Sequence, residues 1–452
     1  MRRVHQIRRR RPLLRTLSAA TVAALAVTLL APLAASRAAS PPAAPPPAAA
    51  EPARACPQLE LADRWYGDVG ERLQRVIDDV GRCSGPVKGN PVAVFDWDNT
   101  MIKNDISDQT TFWLIRQGLV LQPRRKDWTT TNRWLTPAAA KALRRACGPL
   151  APAGERLPTG RRTPQAIRCA DEILSMRLEQ TTTDGKPGFA GRYDHRHLNA
   201  GYIWMAQLMA GRTPKQVKRI ARDARRVALS SPKGATWRVG STRQIRWVRY
   251  YQPQRDLIRT LKAAGITPWV VSASPDLWAK VWSPGAGVPA RHTIGIRTVL
   301  RNGRVTPDLL GCGGYRDGNQ RIMPYVQGKR CWVNQEILGI QGKAALRLAP
   351  KRLRPVIAGG DASTDVVMVR DATRAHIVLN RNSNEIMCRA FFRGRYGADG
   401  KWLVTPMFID PLPKLDGRYP CSTEGAEQRD GSFGPVRRRG GVVPDQPDRV
   451  HG

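Results

Sequence analysis

The stretch that decides the fold is Pro91-Val92-Ala93-Val94-Phe95, followed directly by Asp96-Trp97-Asp98-Asn99-Thr100. A short apolar run without polar alternation is typical of a strand buried on both faces of a parallel sheet. Two carboxylates follow it, two residues apart. One can attack an electrophile while the other handles protons. A capped turn is the commoner explanation of an isolated pair of this kind, so a functional interpretation needs support from elsewhere in the chain.

Two later segments repeat the pattern of an apolar strand with a polar end. Residues 266–271 predict a strand that ends in Ser272-Ala273-Ser274, and residues 354–358 predict another that ends in Gly359-Gly360-Asp361. Helical patterns lie between the predicted strands. This order predicts an α/β fold with a doubly wound, Rossmann-like, mostly parallel sheet. Ligands of such sheets bind outside the carboxyl ends of the strands, so we expect the three polar ends to converge on one crevice.

The residue types at these ends suit phosphate chemistry with a metal ion. Clustered carboxylates repel one another unless a cation lies among them, and oxygen-only ligands suit Mg²⁺. The candidate carboxylates are Asp96, Asp98, Asp361 and Asp365. Ser272 offers a hydroxyl group at a strand end, and Lys343 would neutralise both a phosphate group and an attacking carboxylate.

Four motifs in this order resemble those of the haloacid dehalogenase superfamily: DWDNT (96–100), VVSAS (270–274), GK (342–343) and GGDASTD (359–365). The resemblance covers about residues 90–104 and 250–380. It is strongest to the phosphoserine-phosphatase-like branch, in which a cap domain is inserted after the first motif. It implies a Mg²⁺-dependent phosphatase, because the second aspartate of the first motif is expected in phosphatases and absent from the dehalogenases.

The resemblance also implies roles for single residues. Asp96 would be the nucleophile that forms an aspartyl-phosphate, and Asp98 would protonate the leaving oxygen and then activate water. Ser272 and Lys343 would bind the transferring phosphoryl group. Lys329, in another Gly-Lys pair, is the rival for the lysine role. Lys343 is preferred because it begins a predicted helix 18 residues before Asp361, a separation common in the superfamily.

The implied metal site combines both acidic motifs. Asp361 would bind Mg²⁺ together with Asp96 and the backbone carbonyl of Asp98, while Asp365 would support the metal shell or orient the lysine. One departure from the family pattern is Ala362, where a common variant of the fourth motif has glycine.

The insertion after the first motif is mostly helical in its sequence pattern. We predict a catalytic core formed by residues 55–104 and 250–425, with a helical cap at residues 105–249. An exported enzyme with such a cap is similar to the secreted phosphorylcholine phosphatases, so the expected substrate is a small phosphorylated compound, with phosphorylcholine as the first candidate. Trp113 and Trp204, with Asp105 or Asp108 nearby, would line the leaving-group pocket, since aromatic rings hold quaternary ammonium groups. The alternative is that these rings belong to the helix core.

The termini and the cysteines indicate export. Residues 1–39 combine an arginine-rich start, an apolar run and small residues, which is typical of a secretory signal of the Sec or twin-arginine type. A Pro/Ala linker (40–54) follows it, and residues 426–452 are expected to be a disordered tail. All eight cysteines lie beyond the signal. Their spacing suggests nearest-neighbour disulfides, namely 56–83, 147–169, 312–331 and 388–421, in an oxidising compartment.

The charge leaves other functions open. The 74 Lys and Arg residues against 36 Asp and Glu give a formal charge of +38. Because no nucleic-acid-binding motif accompanies this charge, no nucleic-acid partner is expected, and the basic residues are read as solvated faces with weak affinity for an anionic cell envelope. The alternatives to a phosphatase are a basic envelope-binding protein on the same scaffold and a phosphotransferase. The hydrophobic content of 41% excludes a wholly disordered chain and a polytopic membrane protein.

Overall fold

A parallel sheet of six strands forms the centre of the computed structural model, which describes residues 56–85, 87, 89–392, 395–396 and 400–452. The strands are β1 (Val92–Phe95), β2 (Thr267–Pro275), β3 (Thr293–Ile296), β4 (Ile357–Gly360), β5 (Ala375–Asn380) and β6 (Trp402–Pro406). They lie in the order β6-β5-β4-β1-β2-β3. All neighbours pair in parallel, which confirms the predicted fold class.

The strand order places the acidic motifs side by side. The chain runs from β1 outward through β2 to β3, then returns to β4 on the other side of β1 and continues outward to β6. Ala93 of β1 pairs with Ile357 of β4, and Val92 pairs with Thr267 of β2. A crevice opens where consecutive connections leave a parallel sheet in opposite directions, here between the ends of β1 and β4.

Eleven helices surround the sheet in the described part of the chain. They are α1 (Val69–Val80), α2 (Ile106–Arg116), α3 (Pro137–Cys147), α4 (Pro164–Leu178), α5 (Ala200–Gln207), α6 (Pro214–Ser230), α7 (Gln252–Ala263), α8 (Asp276–Trp282), α9 (Gln327–Glu336), α10 (Val366–Asp371) and α11 (Asn384–Ala390). Three begin alike, with a threonine cap before a proline, because proline fits the first helical position without losing a hydrogen bond. These caps are Thr136, Thr163 and Thr213.

Helices α2–α6 and a hairpin (Thr236–Val239 with Thr242–Ile245) make up the insertion between β1 and β2. The chain leaves and returns through a short antiparallel pair, Ile102–Lys103 with Arg249–Tyr250. The described chain packs as one compact unit, so the division into a core and a cap domain at 105 and 249 stays a prediction.

Four disulfides join the cysteines in the predicted nearest-neighbour pairs: Cys56–Cys83, Cys147–Cys169, Cys312–Cys331 and Cys388–Cys421. Each closes a loop of 19 to 33 residues. Loops of this length contribute about 3 kcal/mol each to stability in the chain-entropy account.

The C-terminal segment differs from the expected disordered tail. Two short antiparallel pairs form within it, Ala426–Glu427 with Phe433–Gly434 and Arg437–Arg438 with Gly441–Val442. Three isolated valines of this segment, Val436, Val443 and Val450, are buried and belong to one of the two hydrophobic clusters found among the described residues. Paired segments of two residues are too short to give a periodic pattern, which is why the sequence alone suggested disorder.

The predicted signal (1–39) and linker (40–54) lie outside the described residues. Within the described residues, the structure contains no helix both long and apolar enough to cross a bilayer.

Candidate active site

The first acidic motif, residues 96–100, follows β1 at the crevice, and the chain reverses direction directly after it. The N–H of Asp96 donates to the carbonyl oxygen of Gly359 in β4 at 2.9 Å, which fixes the two strand ends together. Asn99 and Asn104 adopt φ angles of 58° and 73°. Asparagine tolerates this left-handed region better than other side chains, so the loop can reverse tightly behind the two carboxylates.

The second acidic motif follows β4. Asp365 accepts hydrogen bonds from the N–H groups of Asp361 and Ala362, both at 3.0 Å, through Oδ2. A Cβ atom on Gly360 would lie 2.4 Å from that of Asp365, so glycine is required there. Ala362, by contrast, has an extended backbone with φ −126°, and a side chain at this position costs nothing. The departure from the family pattern at Ala362 is therefore harmless to the loop.

Three carboxylates meet between these motifs. Oxygen atoms of Asp96, Asp361 and Asp365 lie within 4.8 Å of one another, and all three residues are buried. Burial is the largest cause that raises the pKa of Asp96 well above its usual range, and the charges of Asp365 and Asp361 raise it further. Burial likewise raises the pKa of Asp361 to about 6. Such repulsion is what a divalent cation relieves.

A buried lysine from α9 joins the cluster. Lys329 Nζ lies 2.5 Å from Asp96 Oδ1 and 2.6 Å from Asp365 Oδ1. Burial lowers the pKa of Lys329, but the two carboxylates outweigh it, and the net pKa is raised. Lysine 329 therefore stays charged and holds the two acidic motifs together.

The sequence-based preference for Lys343 over Lys329 is wrong. Lys343 is exposed, in a short 3₁₀ turn (Gly342–Leu346) where the sequence predicted a helix. The helix that points toward the crevice is α9, which the sequence analysis did not find. The spacing argument failed because two 3₁₀ turns (Gly342–Leu346 and Lys351–Leu353) and loops, instead of a helix, connect Lys343 to β4.

Asp98 is held by a chain of hydroxyl groups. Ser107 Oγ donates to Ser274 Oγ, which donates to Asp98 Oδ2, both at 2.6 Å. The N–H of Ile106 donates to Asp98 Oδ1 at 2.7 Å. Burial raises the pKa of Asp98 well above its usual range, and the charges of Asp105 and Asp96 add to this. This shift favours the protonated form of Asp98, which a proton donor requires.

The two serines of β2 differ in position. Ser272 is buried, and its Oγ accepts the N–H of Ser274 at 3.0 Å. Ser274, and not Ser272, lines the cavity beside Asp98. A binding role for Ser272 stays a prediction, while Ser274 is a contact that the sequence analysis missed. The period of two along a strand could not separate them, since both fall on the same face.

Arg381 and Thr100 complete the surroundings of Asp361. Arg381 donates to Asp361 Oδ2 at 2.9 Å, and Thr100 Oγ1 donates to Asp361 Oδ1 at 2.7 Å. Sequence reasoning missed both residues. Arg381 could have been found, because it follows directly after β5 and so obeys the same strand-end rule as the acidic motifs.

Two adjoining spaces open above the carboxylates. The inner cavity, of about 90 Å³, is lined by Asp96, Asp98, Ser274, Asp361 and other residues. The outer chamber, of about 510 Å³, is lined by residues of the insertion and of the loop after β6, among them Lys103, Gln109, Phe112 and Leu412. Four residues line both spaces: Asp105, Arg177, Tyr202 and Arg381.

The four predicted pocket residues separate into two groups. Asp105 lines both spaces and Asp108 lines the outer chamber. Trp113 and Trp204 line neither, so the structure does not place the proposed aromatic cage at the site. Trp113 stacks on Trp237 with ring centres 6.2 Å apart, and the buried Trp204 donates to Thr131 Oγ1 at 2.9 Å. The alternative, that these rings belong to the core of the insertion, is the correct one.

The carboxylate cluster fits a magnesium ion in donor type and charge. Asp96, Asp361 and Asp365 supply oxygen atoms only, which suits Mg²⁺ better than softer metals. Lys329 and Arg381 offset part of the negative charge in the present arrangement. The three aspartates are the residues that would hold the ion.

Comparison with known proteins supports the fold. No family model and no curated protein sequence matches the chain. A conserved protein of unknown function from Anaerococcus prevotii DSM 20548 is similar in structure, with a TM-score of 0.55 and 16% identity over 76% of this chain and 92% of that one. At this identity the likeness shows a shared fold and nothing about activity.

Two further structures are similar at a level too low to carry an argument. A protein of unknown function from Bordetella pertussis Tohama I has a TM-score of 0.38 and 18% identity over 70% of this chain and 98% of that one. A phosphoserine phosphatase in a phospho-aspartyl intermediate analogue form has a TM-score of 0.29 and 13% identity over 65% and 87%.

Proposed function

We propose that the protein is a phosphomonoesterase of the haloacid dehalogenase type. The observation that carries the proposal is the contact between Asp96, at the end of the central strand, and the buried cation of Lys329. The lysine lowers the pKa of Asp96 against the burial that raises it, and so favours the ionised, nucleophilic form of this carboxylate. Asp98, two residues on, is held by Ser274 and Ile106 beside the same cavity.

The reaction follows from these positions. A carboxylate oxygen of Asp96 attacks phosphorus, and the bond between phosphorus and the leaving oxygen breaks while Asp98 donates a proton to that oxygen. Asp98, now ionised, takes a proton from a water molecule, whose oxygen attacks the phosphorus of the aspartyl-phosphate. The bond from phosphorus to Asp96 breaks, phosphate leaves, and both aspartates return to their first state.

Charge neutralisation supports each step. Lys329 faces the oxygens that carry charge during the transfer, and preorganised charges of this kind supply a large share of catalysis. Mg²⁺, held by Asp96, Asp361 and Asp365, would draw electron density from the phosphoryl oxygens and offset their charge. Asp365 also fixes Lys329 from the other side, at 2.6 Å.

Export and the substrate are the finer parts of the proposal. Four disulfides need an oxidising compartment, which fits a protein delivered outside the cytoplasm. The substrate is a small phosphate monoester. Phosphorylcholine is the candidate that the sequence resemblance implies, and it is therefore one of the substrates to be assayed.

The test measures phosphate release by the oxidised, purified protein from p-nitrophenyl phosphate and phosphorylcholine, with Mg²⁺ or with EDTA. We expect Mg²⁺-dependent release that Asp96→Asn lowers by at least about a thousandfold, since it removes the nucleophile. Asp63→Asn, a change of an exposed surface aspartate, is the matched control and should keep full activity. Turnover that survives in Asp96→Asn would contradict the proposal.

A further inference from the structure

The inner cavity is the place where the phosphoryl group of a substrate would lie, because Asp96 and Asp98 both line it. A phosphoryl group carries about two negative charges near neutral pH. It would have to lie beside the carboxylates of Asp96, Asp98 and Asp361, which line the same cavity. Like charges at this distance repel one another unless a cation lies among them. The positive side chains of the cavity wall therefore contribute directly to how well the group is held.

Lys329 is not one of these wall residues. Its side chain is fully buried, and it lines neither the inner cavity nor the outer chamber. Its Nζ contacts Asp96 and Asp365 instead, at 2.5 and 2.6 Å. The lysine therefore acts on the carboxylates that it holds, and direct contact with a phosphoryl group in the cavity is left to other residues.

Two arginines line the inner cavity among the residues that the structure describes, and the first of them is already paired. Arg177 lies 2.7 Å from Asp108 and covers the ring of Tyr202, 5.3 Å from its centre. Only 8% of its side chain is exposed. Contact with a phosphoryl group would require breaking this largely buried ion pair, which is unfavourable. Arg177 therefore holds the wall together.

The second cation, Arg381, has different surroundings. Its side chain is 43% exposed, and it lines both the inner cavity and the outer chamber. It donates through Nη1 to Asp361 Oδ2 at 2.9 Å, and its side chain makes no other hydrogen bond to the described residues. A guanidinium group carries five N–H donors in a planar fork that matches the oxygens of a phosphate. Arg381 therefore has donors to offer to a ligand in the cavity.

The fold places Arg381 across the cavity from Ser274. Arg381 follows β5 and Ser274 lies near the end of β2, and these two strands lie on opposite sides of the pair β1 and β4. Asp96 and Asp361, at the ends of that pair, have carboxylate oxygens within 4.8 Å of each other. Because Arg381 contacts Asp361, it lies one carboxylate away from Asp96. A phosphoryl group attached to Asp96 would thus lie between the serine hydroxyl and the guanidinium group.

We infer that Arg381 binds the phosphoryl group of the substrate in the inner cavity and is a catalytic residue of the proposed reaction. The inference rests on the proposed function and adds a residue to its machinery. The guanidinium group donates N–H groups to the phosphoryl oxygens that are not bonded to the leaving group, and it keeps its protons throughout. Negative charge on these oxygens is thereby offset while the bond to Asp96 forms and while it breaks. The sequence analysis gave this contact to Ser272 and Lys343, neither of which lines the cavity.

The experiment measures the Kd of inorganic phosphate by isothermal titration calorimetry at pH 8 with saturating Mg²⁺. Burial raises the pKa of Asp361 to about 6, so this carboxylate is ionised at the chosen pH and its titration does not disturb the comparison. We expect Arg381→Met to weaken phosphate binding by about tenfold or more, as for the loss of a hydrogen bond between charged groups. Arg381→Lys keeps the charge but loses the planar fork, and its loss should be smaller. Arg374→Met, at an exposed arginine that lines neither space, is the matched control and should keep the wild-type Kd.

Steady-state kinetics with p-nitrophenyl phosphate at the same pH give a second readout. Arg381→Met should lower kcat/KM by about 10²-fold, the usual effect of removing one donor from developing charge. A residue that only positions Asp361 would instead change the Mg²⁺ concentration needed for half-maximal activity and leave the phosphate Kd at saturating Mg²⁺ in place.

The outcomes separate this inference from the proposed function. With turnover by the wild type, an unchanged phosphate Kd in folded Arg381→Met or Arg381→Lys would overturn the inference alone. An unchanged kcat/KM in these variants would overturn it as well, even where phosphate binds too weakly for calorimetry. A wild type that neither binds phosphate nor releases it from any ester would overturn the proposed function and the inference with it.

Discussion

The inner cavity and the outer chamber adjoin, yet they are built on different principles. The inner cavity lies at the ends of β1, β2 and β4. Its carboxylates form ion pairs or hydrogen bonds with Lys329, Arg381, Thr100 and Ser274. The outer chamber is lined by the insertion and by the loop after β6, and its lining includes the exposed apolar side chains of Leu178 and Ile245. The comparison teaches that the reacting groups are arranged by the sheet, while recognition is left to segments added around it.

The largest effect should come from the lysine in the inner cavity. Lys329→Met removes the cation between Asp96 and Asp365, and we expect activity to fall by about a thousandfold or more. Breaking a buried ion pair also costs about 3–5 kcal/mol, so the melting temperature should fall. Lys343→Met is the matched control at an exposed lysine, and both its activity and its melting temperature should equal those of the wild type. A larger loss of activity in Lys343→Met than in Lys329→Met would restore the sequence-based choice.

The second prediction tests whether Asp98 acts as a proton donor. Asp98→Asn should lower kcat for ethyl phosphate by about 10²–10⁴, the usual contribution of general acid–base catalysis. The loss should be smaller for formation of the aspartyl-phosphate from p-nitrophenyl phosphate, because p-nitrophenolate leaves without a proton. Stopped-flow measurement of the p-nitrophenol burst checks this. Equal losses in the burst and in alkyl ester turnover would assign Asp98 a role in positioning only.

The third prediction concerns Arg381, which lines both spaces, and the dependence of activity on pH. Arg381 lowers the pKa of Asp361, which burial raises to about 6. Without the arginine this pKa rises, and Asp361 becomes ionised only at higher pH. If ionised Asp361 is needed for activity, Arg381→Met should move the acidic limb of the pH–rate profile upward by as much as about one pH unit. Arg374→Met, at an exposed arginine paired with Asp79, is the control and should leave the profile in place. A downward shift in Arg381→Met would contradict the argument.

The smallest effect should come from the C-terminal segment, which supports the fold and lies outside the chemistry. Val436 is fully buried whereas Val442 is 39% exposed. Val436→Ala should lower the free energy of unfolding by about 1–3 kcal/mol, as expected for a truncated core side chain. Val442→Ala should stay within about 0.5 kcal/mol. Urea unfolding measures both values, and equal stability of the two variants would mean that the segment is not packed in solution.

The difference between the two spaces also explains what sequence reasoning could reach. The strand-end rule is local, since an apolar run and the polar residue after it can be read together. That rule led to Asp96, Asp98, Asp361 and Asp365, and the structure brings the four to one crevice. The same rule would have led to Arg381, had it been applied to β5.

The other residues of the site could not be identified from the sequence, because packing between distant segments of the chain places them there. Lys329 lies in the site because α9 packs beside the crevice. The sequence of α9 has no distinct apolar periodicity, so the helix could not be predicted. The placement of Trp113 and Trp204 in the pocket rested on residue type, and residue type alone does not distinguish a pocket ring from a core ring.

The central claim is that Asp96 becomes phosphorylated during turnover. The direct measurement is acid quenching of the protein during hydrolysis of p-nitrophenyl phosphate, in wild type and in Asp98→Asn, followed by peptide mass spectrometry. The account predicts one added phosphoryl group on the peptide containing Asp96, at a higher level in Asp98→Asn because its hydrolysis is slowed, and none in Asp96→Asn. Phosphorylation at another residue, or steady turnover with Asp96 unmodified in both proteins, would contradict it.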